Sequence, residues 1–201
     1  MKKLFDAIVS SEIYEAYMDS EVNSFEDDQA FLIDLFKTEI ANFGLLQDFL
    51  EEDNVYWIDD IDLVCSMIIK TIKTFTKESN QYDPILPLFK DEMDEKGFIK
   101  TLSRSVVTSD NENDLVIDSL TKNWDLERIA TMDVILLKMA LTELVEFPSI
   151  PKKVTMNEYI EISKFYSTPQ SKVFINGVLD KAIVKLEKEG KIKKTGRGLM
   201  G

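Results

Sequence analysis

The sequence predicts an all-α fold. Apolar residues recur at i, i+3 and i+4 along most of the chain, and strict alternation is nowhere sustained. The five prolines and seven glycines are sparse, and the prolines cluster where helices should end. The expected helices span roughly residues 2–19, 25–51, 59–77, 91–107, 112–122, 127–146, 156–166 and 169–189.

Several helix ends carry a physical marker. Ser24 with Asp27 has capping spacing, the hydroxyl covering free amides while the acid meets the positive helix end. Thr155 followed by Glu158 reads as a capping box. Thr168-Pro169 reads as an N-cap followed by proline at the first helical position, where its missing donor costs nothing. Gly190 is placed to end the last helix in a left-handed conformation. Beyond it, KIKKTGRGLMG has no apolar stripe and is expected to be mobile. The segment 129–146 is apolar nearly all round and is expected to be the buried central helix of the C-terminal bundle.

A weak internal repeat is also visible. At a shift of 67, Phe31 aligns with Phe98, Leu35 with Leu102, Ile40 with Val107 and Trp57 with Trp124. One reading is a duplicated helical unit, 25–77 echoing 92–144. The other is that amphipathic helices resemble each other whenever their phases agree.

Charge divides the chain. Residues 1–80 hold 18 acidic against 6 basic side chains, residues 81–180 hold 17 against 11, and residues 181–201 hold 2 against 7. An acidic body repels a phosphate backbone and suits a basic protein partner. With no histidine, imidazole acid–base catalysis, histidine-assisted nucleophiles and histidine metal sites are excluded. Cys65, the single cysteine, can form no internal disulfide, fits a cytoplasmic location and reads as a small core residue. No apolar run approaches a membrane span. The acidic groups Glu26-Asp27-Asp28 and Asp59-Asp60-Asp62 lack the spacing of a calcium loop and read as helix-start acids. No cofactor or metal is expected.

Two segments carry a resemblance, VTMNE at 154–158 and FINGVLD at 174–180. With the stretch around them, about 90–188, they resemble the C-terminal half of the NusB family of transcription antitermination factors. The resemblance implies a NusB-like helical bundle over 84–190, with an additional acidic helical subdomain over 1–80 and a basic tail over 191–201. It implies a protein that is not an enzyme. Such proteins pair with NusE, a small-subunit ribosomal protein, bind boxA RNA with it, and help the RNA polymerase elongation complex read through ribosomal RNA operons. Two features depart from the family. No arginine-rich helix opens the chain, and residues 1–80 match ordinary members poorly. An arginine-rich helix upstream of this chain would account for both.

The resemblance also nominates residues. Phe174 matches an aromatic near RNA, where its ring would stack on an unpaired base; pattern alone favours a core side chain beside Ile175, Val178 and Leu179, and the resemblance brings the two readings level. Lys164, Tyr166 and Lys172 lie close by, the lysines as phosphate partners and the tyrosine as a second stacking ring, or all three as an ordinary solvated face. Asp133 and Glu127 match acids of the NusE-facing surface; Asp133 reads equally well as a helix-start acid or a member of a local ion pair. Lys138 matches a basic family position and has carboxylates to pair with. Gly177, inside a helix, implies close approach by another helix, with Asn176 bonded to neighbouring backbone. Two other classes stay open: an accessory domain of an rRNA-modifying system, and a purely structural module, including a homodimer.

Overall fold

A computed structural model describes residues 1–21, 24–87, 89–121 and 129–199. Among these residues the regular structure is entirely helical. The chain divides into two compact units, Met1–Lys90 and Asp91–Gly201. No described helix is long and apolar enough to cross a membrane.

The first unit contains α1 (Lys2–Val9), α2 (Glu12–Met18), α3 (Phe25–Leu35), α4 (Gly44–Asp53) and α5 (Trp57–Thr74). Where one helix was expected over 2–19, two form. Ser10 Oγ donates to the Asp6 carbonyl (2.6 Å), and Ser11 Oγ accepts the Tyr14 amide (3.3 Å), so the serine pair ends one helix and caps the next. The expected 25–51 helix also breaks. After α3 the chain widens into a π-helical turn, Phe36–Ile40, and Asn42 Nδ2 then donates to the Lys37 carbonyl (2.7 Å). The capping box at Ser24 and Asp27 forms, and the amide and hydroxyl of Ser24 hold the Asp27 carboxyl below its ordinary pKa. At the far end of α5, Gln29 Nε2 donates to the carbonyls of Ile72 (2.9 Å) and Phe75 (3.1 Å), closing a helix end that would otherwise be unsatisfied. Leu4, Ile33, Leu35, Phe36 and Ile72 are buried here. Cys65 is half-buried, and burial raises its thiol pKa, followed by the charge of Asp62.

The second unit contains α6 (Glu92–Thr108), α7 (Asp110–Thr121), α8 (Thr131–Glu146), α9 (Lys152–Tyr166) and α10 (Ser171–Lys188). The apolar rod is α8, and it is central: α6, α7, α9 and α10 all pack on it. Leu136, Leu137, Ala140, Leu141 and Leu144 form its buried length, joined by Ile175, Val178, Leu179 and Ala182 of α10. A helix apolar on most sides is stable only when surrounded, and this arrangement surrounds it.

Helices α3, α4 and α5 occupy most of 25–77, and α6, α7 and α8 most of 92–144. In each set the first two helices pack on the third. Trp124 lies outside the described residues.

Three end assignments need correction. Thr155 does not cap α9. That helix starts three residues earlier behind Pro151, and Thr155 is fully buried within it. Proline fixes the backbone just ahead of the first turn, and no side chain caps this end. At α10, Pro169 and Gln170 form a turn closed by the Ser171 amide on the Thr168 carbonyl (2.9 Å), and the regular helix starts only at Ser171. Gly190 behaves as expected, at φ 66°. Lys191 N–H bonds the Leu186 carbonyl and Gly190 N–H the Glu187 carbonyl, a Schellman ending. The stretch read as mobile is tied down instead. Thr195 N–H bonds the Pro148 carbonyl (2.9 Å), Lys194 Nζ the Phe147 carbonyl (3.0 Å), and a short 3-10 turn follows at Gly196–Leu199. Hydrogen bonds to two backbone carbonyls hold it, with Ile192 packed on the core, which is why no apolar stripe announces it.

Candidate RNA- and partner-facing surface

Helix α9 buries Thr155, Tyr159 and Ser163, four residues apart, against the core. That stripe sets what the end of the helix can present. Phe165 lies two positions beyond Ser163, about 200° round the helix, and is 46% exposed. Lys164 beside it is exposed and paired with Glu161, both carboxylate oxygens at 2.6 Å. An exposed pair of this kind contributes at most ~1 kcal/mol, so a phosphate can displace it. Tyr166 is half-buried. Across the turn, Lys172 and Val173 are both exposed, Lys172 without an ion pair among the described residues. Two lysines and an exposed aromatic ring therefore flank the 167–170 turn.

Phe174 is not part of that surface. It is 6% exposed and packs in the core cluster with Ile175, Val178 and Leu179. Its ring is taken up by neighbouring side chains, so the core reading holds and base stacking does not. Burial on α10 recurs at 171, 174, 175, 178, 179, 182 and 186, the stripe of a helix lying on a core. Position 174 falls in the middle of it.

Asp133 is also withdrawn from solvent, at 4% exposure. Ser167 Oγ donates to its Oδ1 (2.5 Å) and Ser171 Oγ to its Oδ2 (2.8 Å). Ser171 Oγ in turn accepts the Thr168 amide (3.1 Å). This acid pins the turn between α9 and α10 to the first turn of α8, where the helix dipole favours a negative charge. It is not placed to meet a partner. Glu127, the other expected partner-facing acid, lies outside the described residues.

Lys138 does pair locally, with Asp110 (2.7 Å) and Asp114 (2.9 Å) of α7. The hydrogen bond to Asp110, then that to Asp114, raises its pKa. Sequence reading missed a second buried polar link, Tyr159 Oη donating to Glu143 Oε2 at 2.9 Å. Burial, then the carboxylate, pushes the phenol well above its ordinary pKa. Both residues lie on faces where apolar side chains would have fitted, and only the packed pair reveals the link. Glu26, Asp27 and Asp28 sit in the first turn of α3 and Asp59 and Asp60 in that of α5, with Asp62 one turn further on, and no group of three or more potential ligands is poised for a metal among the described residues.

The glycine expectation is overturned. A Cβ on Gly177 would have no neighbour within 4 Å, and Asn176 Nδ2 reaches the Asp180 carboxylate (3.4 Å), not a neighbouring backbone. No helix approaches this position, so Gly177→Ala should stabilise the protein by about 1 kcal/mol, the propensity difference alone. Urea denaturation of the two proteins measures it.

The NusB family model matches residues 61–184, more than half of the chain. The chain belongs to the NusB family. The matched span begins inside α5, ahead of residue 90, where the resemblance was expected to start. Proteins named transcription antitermination protein NusB match about half of the chain. That of Salinibacter ruber is 44% identical over 106 residues, covering 53% of this chain and 66% of the relative. That of Chloroherpeton thalassium is 38% identical over 105 residues, covering 52% and 50%, and that of Geobacter sulfurreducens 38% over 112 residues, covering 53% and 81%. The matches thus span just under two thirds of the first NusB relative and half of the second. No solved structure matches the chain.

Proposed function

We propose that this chain is a transcription antitermination factor. It binds the ribosomal protein NusE and boxA-type RNA, and supports elongation by RNA polymerase through ribosomal RNA operons. Membership of the NusB family, together with relatives named for antitermination, is the observation that carries this reading. The protein acts by recognition, not by chemistry.

On this reading the RNA-facing part of the chain is the end of α9 and the start of α10. Lys164 and Lys172 neutralise phosphates, and Phe165, not Phe174, offers a ring to an unpaired base. Tyr166 borders them. Acidic surface elsewhere steers RNA towards this cationic edge and favours a basic protein partner. Glu127 is the acid proposed for the NusE contact.

Pull-down with the cognate NusE, followed by boxA titration at several salt concentrations, tests the proposal. Failure of the folded protein to retain NusE would defeat it. Phe165→Ala should weaken RNA binding by about 1–3 kcal/mol while leaving the thermal midpoint nearly unchanged. Lys172→Ala should lower the salt dependence of binding, since one phosphate contact fewer releases fewer counterions.

A further inference from the structure

An open groove of about 720 Å³ runs along the N-terminal half of α6 beside the loop between α8 and α9. Its floor is apolar. Phe98 and Phe147 meet edge to face, with centroids 4.9 Å apart, and Ile150 extends the floor. Met93, 88% exposed, stands at its margin. Gly97 adds no side chain to the α6 wall, and a Cβ there would stand in open space.

The rim is acidic. Asp91, Glu92, Asp94 and Glu95 crowd the start of α6, and Asp94 and Glu95 line the groove. Asp91 caps the helix by accepting the amides of Met93 (3.1 Å) and Asp94 (3.0 Å). The helix dipole favours acids at this end. It does not account for a large thioether left in water beside two aromatic rings.

The opposite wall is braced from behind. The tail holds the Phe147 and Pro148 carbonyls through Lys194 and Thr195. Gly198 packs so closely on the Pro148 carbonyl oxygen that any Cβ would collide with it. A loop fixed in this way keeps Phe147 and Ile150 in place before anything binds, which lowers the ordering cost of association.

We propose that this groove is a docking site for a basic amphipathic helix of a protein partner. Apolar side chains at i, i+3 and i+4 would enter over Phe98, Phe147 and Ile150, and flanking lysines or arginines would meet the acidic rim. The groove is built from residues other than those of the RNA-facing edge, and its test needs neither RNA nor NusE.

The test is fluorescence anisotropy on the full chain with a labelled lysine–leucine peptide of about 15 residues in helical repeat. A scrambled peptide of the same composition serves as the control. The amphipathic peptide should bind saturably, more weakly as salt rises, and at least about tenfold tighter than the scrambled one. Gly97→Trp, which puts a large ring at the wall of the groove, should abolish binding, and Gly97→Ala should leave it unchanged. Met93→Ser, at an exposed position that folding does not depend on, should weaken it several-fold. Equal binding of the two peptides would overturn the proposal. So would undiminished binding by Met93→Ser, whether or not the tryptophan variant folds.

Discussion

Phe174→Ala is expected to lower the free energy of unfolding by about 3–5 kcal/mol, the range for emptying a well-packed aromatic site. The ring is almost wholly buried among Ile175, Val178 and Leu179, on a helix that lies against the central rod. Domains of this size are stable by only about 5–15 kcal/mol, so the variant should be near the edge of folding at physiological temperature. Urea denaturation followed by circular dichroism measures the loss. RNA affinity, corrected for the folded fraction, should stay close to the parent value. Full stability combined with lost RNA binding would place the ring in solvent, contrary to the packing described.

Asp133→Ala should cost about 3 kcal/mol, again measured by denaturation. Two serine hydroxyls donate to this carboxylate, and bonds to a charged group contribute about 1.5–3 kcal/mol each. Removing the acid takes the charged acceptor from both hydroxyls and leaves them only each other and Thr168 as neutral partners. Asp133→Asn should cost less, because an amide oxygen still accepts one of the bonds. The double variant Ser167→Ala, Ser171→Ala should be destabilised, yet adding Asp133→Ala to it should cost far less than in the parent. A protein in which Asp133→Ala folds normally but loses NusE would return this acid to the partner surface.

These two residues show where one-dimensional reading reaches its limit. Phe174 and Phe165 are both aromatic, both near lysines, and both close to the α9–α10 turn. Only phase around the helix separates them. That phase was legible for α10, whose apolar positions are unmistakable. It was obscured on α9, whose buried stripe is Thr155, Tyr159 and Ser163, polar types that give no hydrophobic signal. The same residue types misled the capping assignment, since Thr155 suits a helix start by composition and is core by position. The splitting of the first two expected helices was foreshadowed by Ser10-Ser11 and by Asn42-Phe43-Gly44, though an amphipathic pattern that continues across a break hides it. Gly177 is the converse case. A residue unfavourable in a helix invited a packing explanation, and the space beside it is open.

The sequence by itself determined that this chain is helical, that 129–146 is the buried axis of its second unit, and that no histidine-based chemistry is open to it. Periodicity, the continuous apolar run and the absence of histidine are local or compositional facts, and each survives whatever the chain packs against. Tertiary structure alone decided which of two phenylalanines faces water, that Asp133 is a structural pin, and that the basic tail braces a loop some fifty residues away in sequence. Those outcomes depend on partners distant along the chain. Burial and hydrogen bonding are relations between elements, and neither residue type nor spacing within one element specifies them.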